Sequence, residues 1–196
     1  MDRAVIFGGL SPFGFVLTNA LLANGYGVTS LSSATSVGER KQEEEREMYV
    51  GRNAFFHASD ASDALAGDAF FFADTRSPLQ RKILHLVRSH PAVCRADVLL
   101  FWPAGAVRKT GDDDEFVRAF VTRRTSGHQV RTIVLRTDDA AVKNRKVWGK
   151  TAQLAVELIR AEVKGSQTIH YFSGLKPGSA RNRALRQLLG ERIDWL

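Results

Sequence analysis

Short apolar runs alternate along this chain with stretches whose apolar positions recur every three or four residues. The first kind reads as buried strands and the second as amphipathic helices. Residues 3–9 open the chain with a run that is apolar on both faces, as a central parallel strand requires. Phe13, Val16, Leu17, Ala20 and Leu21 then repeat at helical spacing. Pro12 precedes them in the first turn, where its missing N–H costs nothing. Asn24 and Gly25 end that helix, and residues 27–31 predict the second strand. The charged stretch 41–48 predicts a helix with a solvated face. Strands are expected at 53–57, where His57 reads as a structural histidine on an apolar strand, and at 68–73. A helix follows at 77–89, with Ser77 as N-cap, Pro78 at its first position and Leu79, Ile83, Leu86 and Val87 as its buried stripe. Pro91 stops it. Further strands are expected at 97–102, 130–136 and 168–172, and further helices at 112–124, 147–163 and 179–189.

About seven strands alternating with helices imply an α/β fold, a doubly wound, mainly parallel sheet with helices on both faces. No repeat is visible and no Gly/Pro-rich linker divides the chain, so residues 1–196 are expected to form a single domain. In such a sheet a ligand lies beyond the C-terminal strand ends, close to the first turn.

That turn carries the clearest chemistry. Ala4-Val5-Ile6-Phe7-Gly8-Gly9-Leu10-Ser11-Pro12-Phe13-Gly14 reads as strand, tight glycine turn and helix start. Backbone N–H groups at a helix start are unpaired and sit at the positive end of the helix dipole, so Gly8, Ser11, Pro12, Phe13 and Gly14 form a candidate pyrophosphate cradle. Gly14 lets helix and strand pack closely. Ser11 stands where a glycine would bring phosphates nearest; its hydroxyl can donate to a phosphate instead. At the end of the second strand, where dinucleotide folds place an acid for the ribose hydroxyls of NAD, this chain has Ser32-Ser33-Ala34-Thr35-Ser36, with Arg40 and Lys41 beyond. Hydroxyls and a base suit a 2′-phosphate better than a free diol, which leans to NADP over NAD; a plain surface loop explains the segment equally well.

Composition narrows the classes. An apolar share of 44% and a charged share of 25% are those of an ordinary soluble protein. The single cysteine, Cys94, excludes an intrachain disulfide framework and fits a reducing cytosol, where it reads as a structural thiol. No apolar run approaches the roughly 20 residues that span a bilayer, and no signal peptide is evident, so a cytoplasmic location without membrane contact is expected. The net charge of +7 is concentrated between Arg118 and Arg192. A basic half of this kind fits nucleic acid, an anionic cofactor or an acidic partner. The bases are spread over several elements with no recognition motif, so a solvated surface is preferred over nucleic acid. Asp112-Asp113-Asp114 reads as a helix N-terminus, and no metal-ligand spacing is present.

Taken together, four segments resemble the short-chain dehydrogenase/reductase superfamily in its extended or atypical branch, which includes sugar-nucleotide epimerases. Gly8 to Gly14 is similar to that branch's Gly-Gly-x-Gly-Phe-Ile-Gly turn. Ala58-Ser59-Asp60-Ala61-Ser62-Asp63 is similar to its Gly-Asp-x-x-Asp motif, and the resemblance implies that Asp60 contacts adenine. Asp68-Ala69-Phe70-Phe71-Phe72-Ala73 is similar to the strand ending in alanine, which implies that Ala73 lies beside the cofactor. Thr132-Ile133-Val134-Leu135-Arg136-Thr137 is similar to the strand that normally ends Leu-Arg-Pro. The resemblance implies a Rossmann-like fold, an NAD or NADP cofactor and a homodimer.

The family's chemistry uses a Tyr-x-x-x-Lys pair, in which lysine lowers the tyrosine's pKa for proton exchange during hydride transfer. Four residues after Tyr26, Tyr49 and Tyr171 come Ser30, Asn53 and Leu175, so the pair is absent and no catalytic residue is assigned. Asp74, next to Ala73, would bring negative charge near the phosphates if it points inward. The leading expectation is a cofactor-binding, regulatory relative without dehydrogenase chemistry. The alternatives are an oxidoreductase or epimerase using Thr110, Thr137 or Lys150, and a basic interaction module without cofactor.

Overall fold

The computed structural model describes residues 2–59, 66–103, 116, 119–120, 132–137, 145–160 and 168–173. The elements are β1 (Arg3–Phe7), α1 (Pro12–Ala23), β2 (Gly27–Leu31), α2 (Val37–Val50), β3 (Phe56–Ser59), β4 (Ala69–Phe72), α3 (Ser77–Ser89), α4 (Pro91–Arg95), β5 (Asp97–Pro103), β6 (Thr132–Thr137), α5 (Arg145–Arg160) and β7 (Thr168–Ser173). Phe116, Ala119 and Phe120 are also helical.

The strands form one sheet in the order β3-β2-β1-β4-β5-β6-β7, and every pairing is parallel. Chain direction along the sheet reverses between β1 and β4. Those two strands pair in register from Ala4↔Ala69 to Phe7↔Phe72, which puts their C-terminal ends side by side. A parallel sheet must be covered on both faces, and the alternation of side chains along β1 supplies both cores. Ala4 and Ile6 join Leu17 and Leu21 of α1 and Ala152, Ala155 and Val156 of α5 on one face. Val5 and Phe7 join Leu79, Ile83 and Val87 of α3, with Phe116 and Phe120, on the other. Phe70 and Phe72 of β4 belong to the second core and Phe71 to the first. The α/β class, the parallel sheet and helices on both faces are therefore as the sequence predicts.

Several local expectations need correction. Ser77 is the first residue of α3 and not its N-cap; Arg76 stands at the cap and no side-chain bond closes it. β3 runs over Phe56–Ser59 and not 53–57. α2 begins at Val37 rather than residue 41, because the Ser36 hydroxyl accepts from the Glu39 N–H and caps an earlier turn. Pro91 does not simply end a helix. It occupies the first turn of α4, after His90 breaks from helical geometry. His57 is exposed on edge strand β3 rather than satisfied inside. The expected helix at 179–189 and the side chain of Cys94 lie outside the described residues, as does most of the expected helix at 112–124.

Candidate functional site

The C-terminal ends of β1, β2 and β4 converge on the first turn. Gly8 follows β1 with φ +75°, a left-handed conformation that disfavours side chains. Its N–H donates to the Leu31 carbonyl at 2.9 Å, and its carbonyl accepts from Ser11 N–H at 3.0 Å. A Cβ on Gly8 would lie 2.6 Å from Asp74 Cβ, so the β4 end closes directly over the turn. Gly14 packs more tightly still. A Cβ there would fall onto the Gly8 carbonyl oxygen, which confirms the close helix–strand approach expected of this position.

Ser11 is buried and caps α1, its Oγ accepting from the Gly14 N–H at 3.2 Å. Its hydroxyl proton remains to donate. Pro12, exposed at the first helical position, has no N–H to offer. With Gly14 capped and Phe15 bonded to the Ser11 carbonyl, the N–H of Phe13 is left to meet a ligand. The Phe13 ring points elsewhere. It packs on Phe101 at 4.6 Å and Trp148 at 6.2 Å between centroids, anchoring the turn to β5 and α5. Thr18 steadies the other side by donating to the Gly9 carbonyl at 2.9 Å.

The β2 end is organised by a carboxylate the sequence reading left on a solvated face. Glu43 of α2 is only 4% exposed. Its Oε2 accepts from the Ser32 hydroxyl at 2.5 Å, and its Oε1 from the Ser33 N–H at 3.1 Å. The Ser33 hydroxyl bridges onward, 2.8 Å from Asp74 Oδ2 and 3.4 Å from Glu43 Oε1. It has one proton, and the shorter distance gives it to Asp74.

Asp74 does point inward, at 6% exposed, yet its charge is met. Arg76 donates through Nε to Oδ1 at 2.9 Å and through Nη2 to Oδ2 at 2.8 Å. The same guanidinium bonds Glu39, whose Oε2 accepts from Thr35 N–H at 2.8 Å and hydroxyl at 2.9 Å. The β2–α2 and β4–α3 connections are thus tied together beside the turn. Ala73, half-buried, donates its N–H to the Phe7 carbonyl at 3.0 Å, which places it next to Gly8. Asp60 lies outside the described residues.

The Arg76 hydrogen bond, joined by the two from Thr35, lowers the Glu39 pKa from 4.5 to about 2. A depressed carboxyl pKa contributes stability above its ordinary value and loses it as pH falls through the folded value. The tie is therefore expected to hold from neutral pH down through 4.5 and to weaken only toward about 2. Carboxyl NMR titration should show this, and in an Arg76→Ala variant the Glu39 midpoint should return toward 4.5; an unchanged midpoint would refute the assignment.

Neither Tyr26 nor Tyr49 belongs to this turn, and the side chain of Tyr171 lies outside the described residues. Tyr26 is buried before β2, at the N-terminal end of that strand, under the Arg160 guanidinium at 5.6 Å. Tyr49 is exposed on α2, and Lys150 is exposed on α5. Thr110 lies outside the described residues, and Thr137 ends β6. Among the described residues no group of three His, Cys, Asp or Glu could hold a metal ion, and no helix is long and apolar enough to cross a membrane.

The residues present fit a dinucleotide in kind. The glycine turn packs its backbone directly against Asp74, Ser30 and α1, the helix start offers Phe13 N–H and Ser11 Oγ–H, and a carboxylate stands at the β2 end. Glu43, Ser33, Asp74 and Arg76 complete the site and were not among the residues singled out as cofactor-binding. The Ser36-x-x-Glu39 spacing before α2 was the available signal for an ordered β2–α2 corner.

No protein-family model matches the sequence, and no curated protein matches it. Solved structures do. A protein assigned to the short-chain dehydrogenase/reductase oxidoreductases of Aeromonas hydrophila superposes with TM-score 0.60 at 10% identity, over 90% of this chain and 100% of that one. Serine dehydrogenase from Escherichia coli gives TM-score 0.59 at 13% identity, over 86% and 96%. Yeast methylglyoxal/isovaleraldehyde reductase Gre2, solved with NADPH, gives 0.57 at 10% identity, over 86% and 75%. At these identities the likeness is one of architecture, and it agrees with the strand order and the first turn: the chain has the Rossmann-type fold of the short-chain dehydrogenase/reductase proteins.

Proposed function

We propose that this protein binds an adenine dinucleotide, NAD or NADP, at the β1–α1 turn and acts as a binding or regulatory protein rather than a dehydrogenase of the usual mechanism. The turn itself carries the reading. Gly8 and Gly14 meet without room for a side chain, and the Phe13 N–H and the Ser11 hydroxyl proton are left over at the helix start beside the paired C-terminal ends of β1 and β4. That is the switch point at which open parallel sheets hold ligands. The Asp74 charge beside Gly8 is neutralised by Arg76, so a pyrophosphate approaching the helix start does not meet a bare carboxylate. When bound, the nicotinamide supplies hydride chemistry; this chain has no Tyr-x-x-x-Lys pair to move the accompanying proton. A homodimer and a cytoplasmic setting belong to the same reading.

Titrating NADH and NADPH against tryptophan fluorescence tests it, since Trp148 packs on Phe13 directly behind the turn. Saturable quenching below millimolar concentration by at least one of them is expected. Absence of saturation by both at millimolar concentration would sink the proposal. A hydride-transfer screen over aldehydes and ketones should show no turnover above buffer; turnover would instead support an enzyme with other catalytic groups.

A further inference from the structure

A helix lying on a sheet normally buries an apolar stripe and shows its charges to water. α2 does the reverse. Only Glu43 and Val50 of this helix are buried. Polar ties hold it to the body: Ser32 and Ser33 on Glu43, Arg76 on Glu39, and Arg46 donating to the Leu10 carbonyl at 2.7 Å. Met48 and Tyr49, its two largest apolar side chains, face outward at 77% and 80% exposed. With Glu45 and Arg52 they line an open depression of about 500 Å³. Spacings of three, four and seven residues put these four positions on one helix face. Gly51 keeps right-handed helical geometry, which carries Arg52 on to the same stripe.

An exposed apolar patch bounded by polar residues marks a contact surface. The order of its charges identifies the partner. An anion stands at one end of the stripe, a cation at the other, and the apolar pair lies between them. Neither Glu45 nor Arg52 has an ion-pair partner among the described residues. A two-fold axis through the centre of the stripe brings Glu45 to Arg52 of the partner subunit, twice over, and Met48 to Tyr49 of the partner subunit. The stripe is thus complementary to itself, as an isologous contact must be. Its two charges cancel, so it adds no repulsion between copies of a chain whose net charge is +7.

We propose that α2 is a self-recognition surface, through which two copies of this chain pair antiparallel beside the edge strand β3. This gives the homodimer of the proposed function a contact surface and does not depend on dinucleotide binding. Tyr and Met are residues that interfaces favour. From Glu45 to Arg52 the stripe covers about 10 Å of helix. That is less than a standard interface offers, so the pairing is weak and depends on concentration.

Sedimentation velocity of the full chain from about 5 to 500 µM tests it; the wild type should pass from monomer to dimer within that range. Glu45→Arg and Arg52→Glu each set like charges opposite one another at both ends of the contact. Each alone should weaken association at least about tenfold. An equimolar mixture of the two variants restores both pairs and should dimerise as the wild type does. Met48→Ser with Tyr49→Ser removes the apolar centre and should leave a monomer. All four positions are exposed, and unchanged thermal melts establish that each variant is folded. A dimer unmoved by the Met48/Tyr49 variant, or a mixture no more associated than its components, would overturn this surface and leave the homodimer standing. A wild type monomeric at every concentration would overturn both, leaving the stripe to a chain of other sequence and the dinucleotide reading to its own titration.

Discussion

Gly14→Ala is expected to lower the stability of the fold by about 2–3 kcal/mol, a larger loss than its position in a helix suggests. In an open helix the change is favourable, worth about 1 kcal/mol in propensity. Here the added methyl falls onto the Gly8 carbonyl oxygen, with Gly8 C and Ser11 Oγ close behind. That carbonyl cannot withdraw. Gly8 is held by its N–H on Leu31 and by the Ser11 N–H on its oxygen, and it sits in a left-handed conformation against Asp74. Overpacking against a fixed backbone typically costs about 1–3 kcal/mol and occasionally more. An overlap this deep on fixed backbone lies at or beyond the top of that range, about 3–4 kcal/mol, so that about 2–3 kcal/mol remains once the propensity gain is subtracted. At about 2–4 °C per kcal/mol for a chain of this size, the melting temperature should fall by roughly 5–10 °C. Gly149→Ala in α5 is the matched control: nothing lies within 4 Å of its Cβ, and a gain of about 0.5–1 kcal/mol is expected. Urea unfolding of both variants decides. A Gly14→Ala protein as stable as the wild type would mean that α1 does not approach β1 as described. The same contact disqualifies larger residues at Gly14 as probes of binding, since they would report folding first.

Arg76→Ala is the second large effect, with a loss of about 2 kcal/mol expected. Removing one partner of a fully buried ion pair costs about 3–5 kcal/mol, because a charge is left without its counter-ion. Asp74 is buried, but the Arg76 side chain is 48% exposed, so part of that figure is absent here. What remains is a carboxylate enclosed beside Gly8 with the Ser33 hydroxyl as its donor. Asp74→Asn in the same background should recover at least half of the loss, since the stranded charge is gone. Equal stability of the single and double variants would show that the guanidinium matters for packing rather than charge. Binding supplies a second readout. Exposing the phosphates to an unneutralised Asp74 should weaken dinucleotide affinity about tenfold, equivalent to about 1.4 kcal/mol, and the double variant should restore it.

The scaffold was legible in the sequence because the elements that build it carry their own patterns. The run Ala4-Val5-Ile6-Phe7 is apolar on both faces and becomes a central strand with a core on each side. Leu79, Ile83, Leu86 and Val87 form the buried stripe their spacing announces. Gly14 is where the backbone leaves no room for a side chain. The polar half of the site was less legible for a physical reason. Glu43 sits within Lys41-Gln42-Glu43-Glu44-Glu45-Arg46-Glu47, and composition alone cannot say which carboxylate of such a run turns inward. Its burial depends on β2 delivering Ser32 and Ser33 opposite it, a tertiary fact. Asp74 and Arg76 are likewise two residues apart in a loop, and only the return of the chain to β1 gives them Ser33 and Glu39 as partners. Ser32 follows the last residue of β2, and its hydroxyl serves Glu43.

The pairing of β1 with β4 also has a kinetic consequence. Arg3 and Asp68, which open that pairing, are joined across 65 residues of chain. Loop closure of this length is slow relative to a hairpin, and its entropic cost falls before the contacts that reward it are made. β1, α1 and β2 can associate early, since their contacts are short in sequence. The turn at Gly8 then waits for Asp74 to arrive, so its final geometry is set late in folding. Stopped-flow refolding should therefore show Gly14→Ala acting in part on the unfolding rate, with the Gly8–Gly14 turn among the last regions to acquire hydrogen-exchange protection.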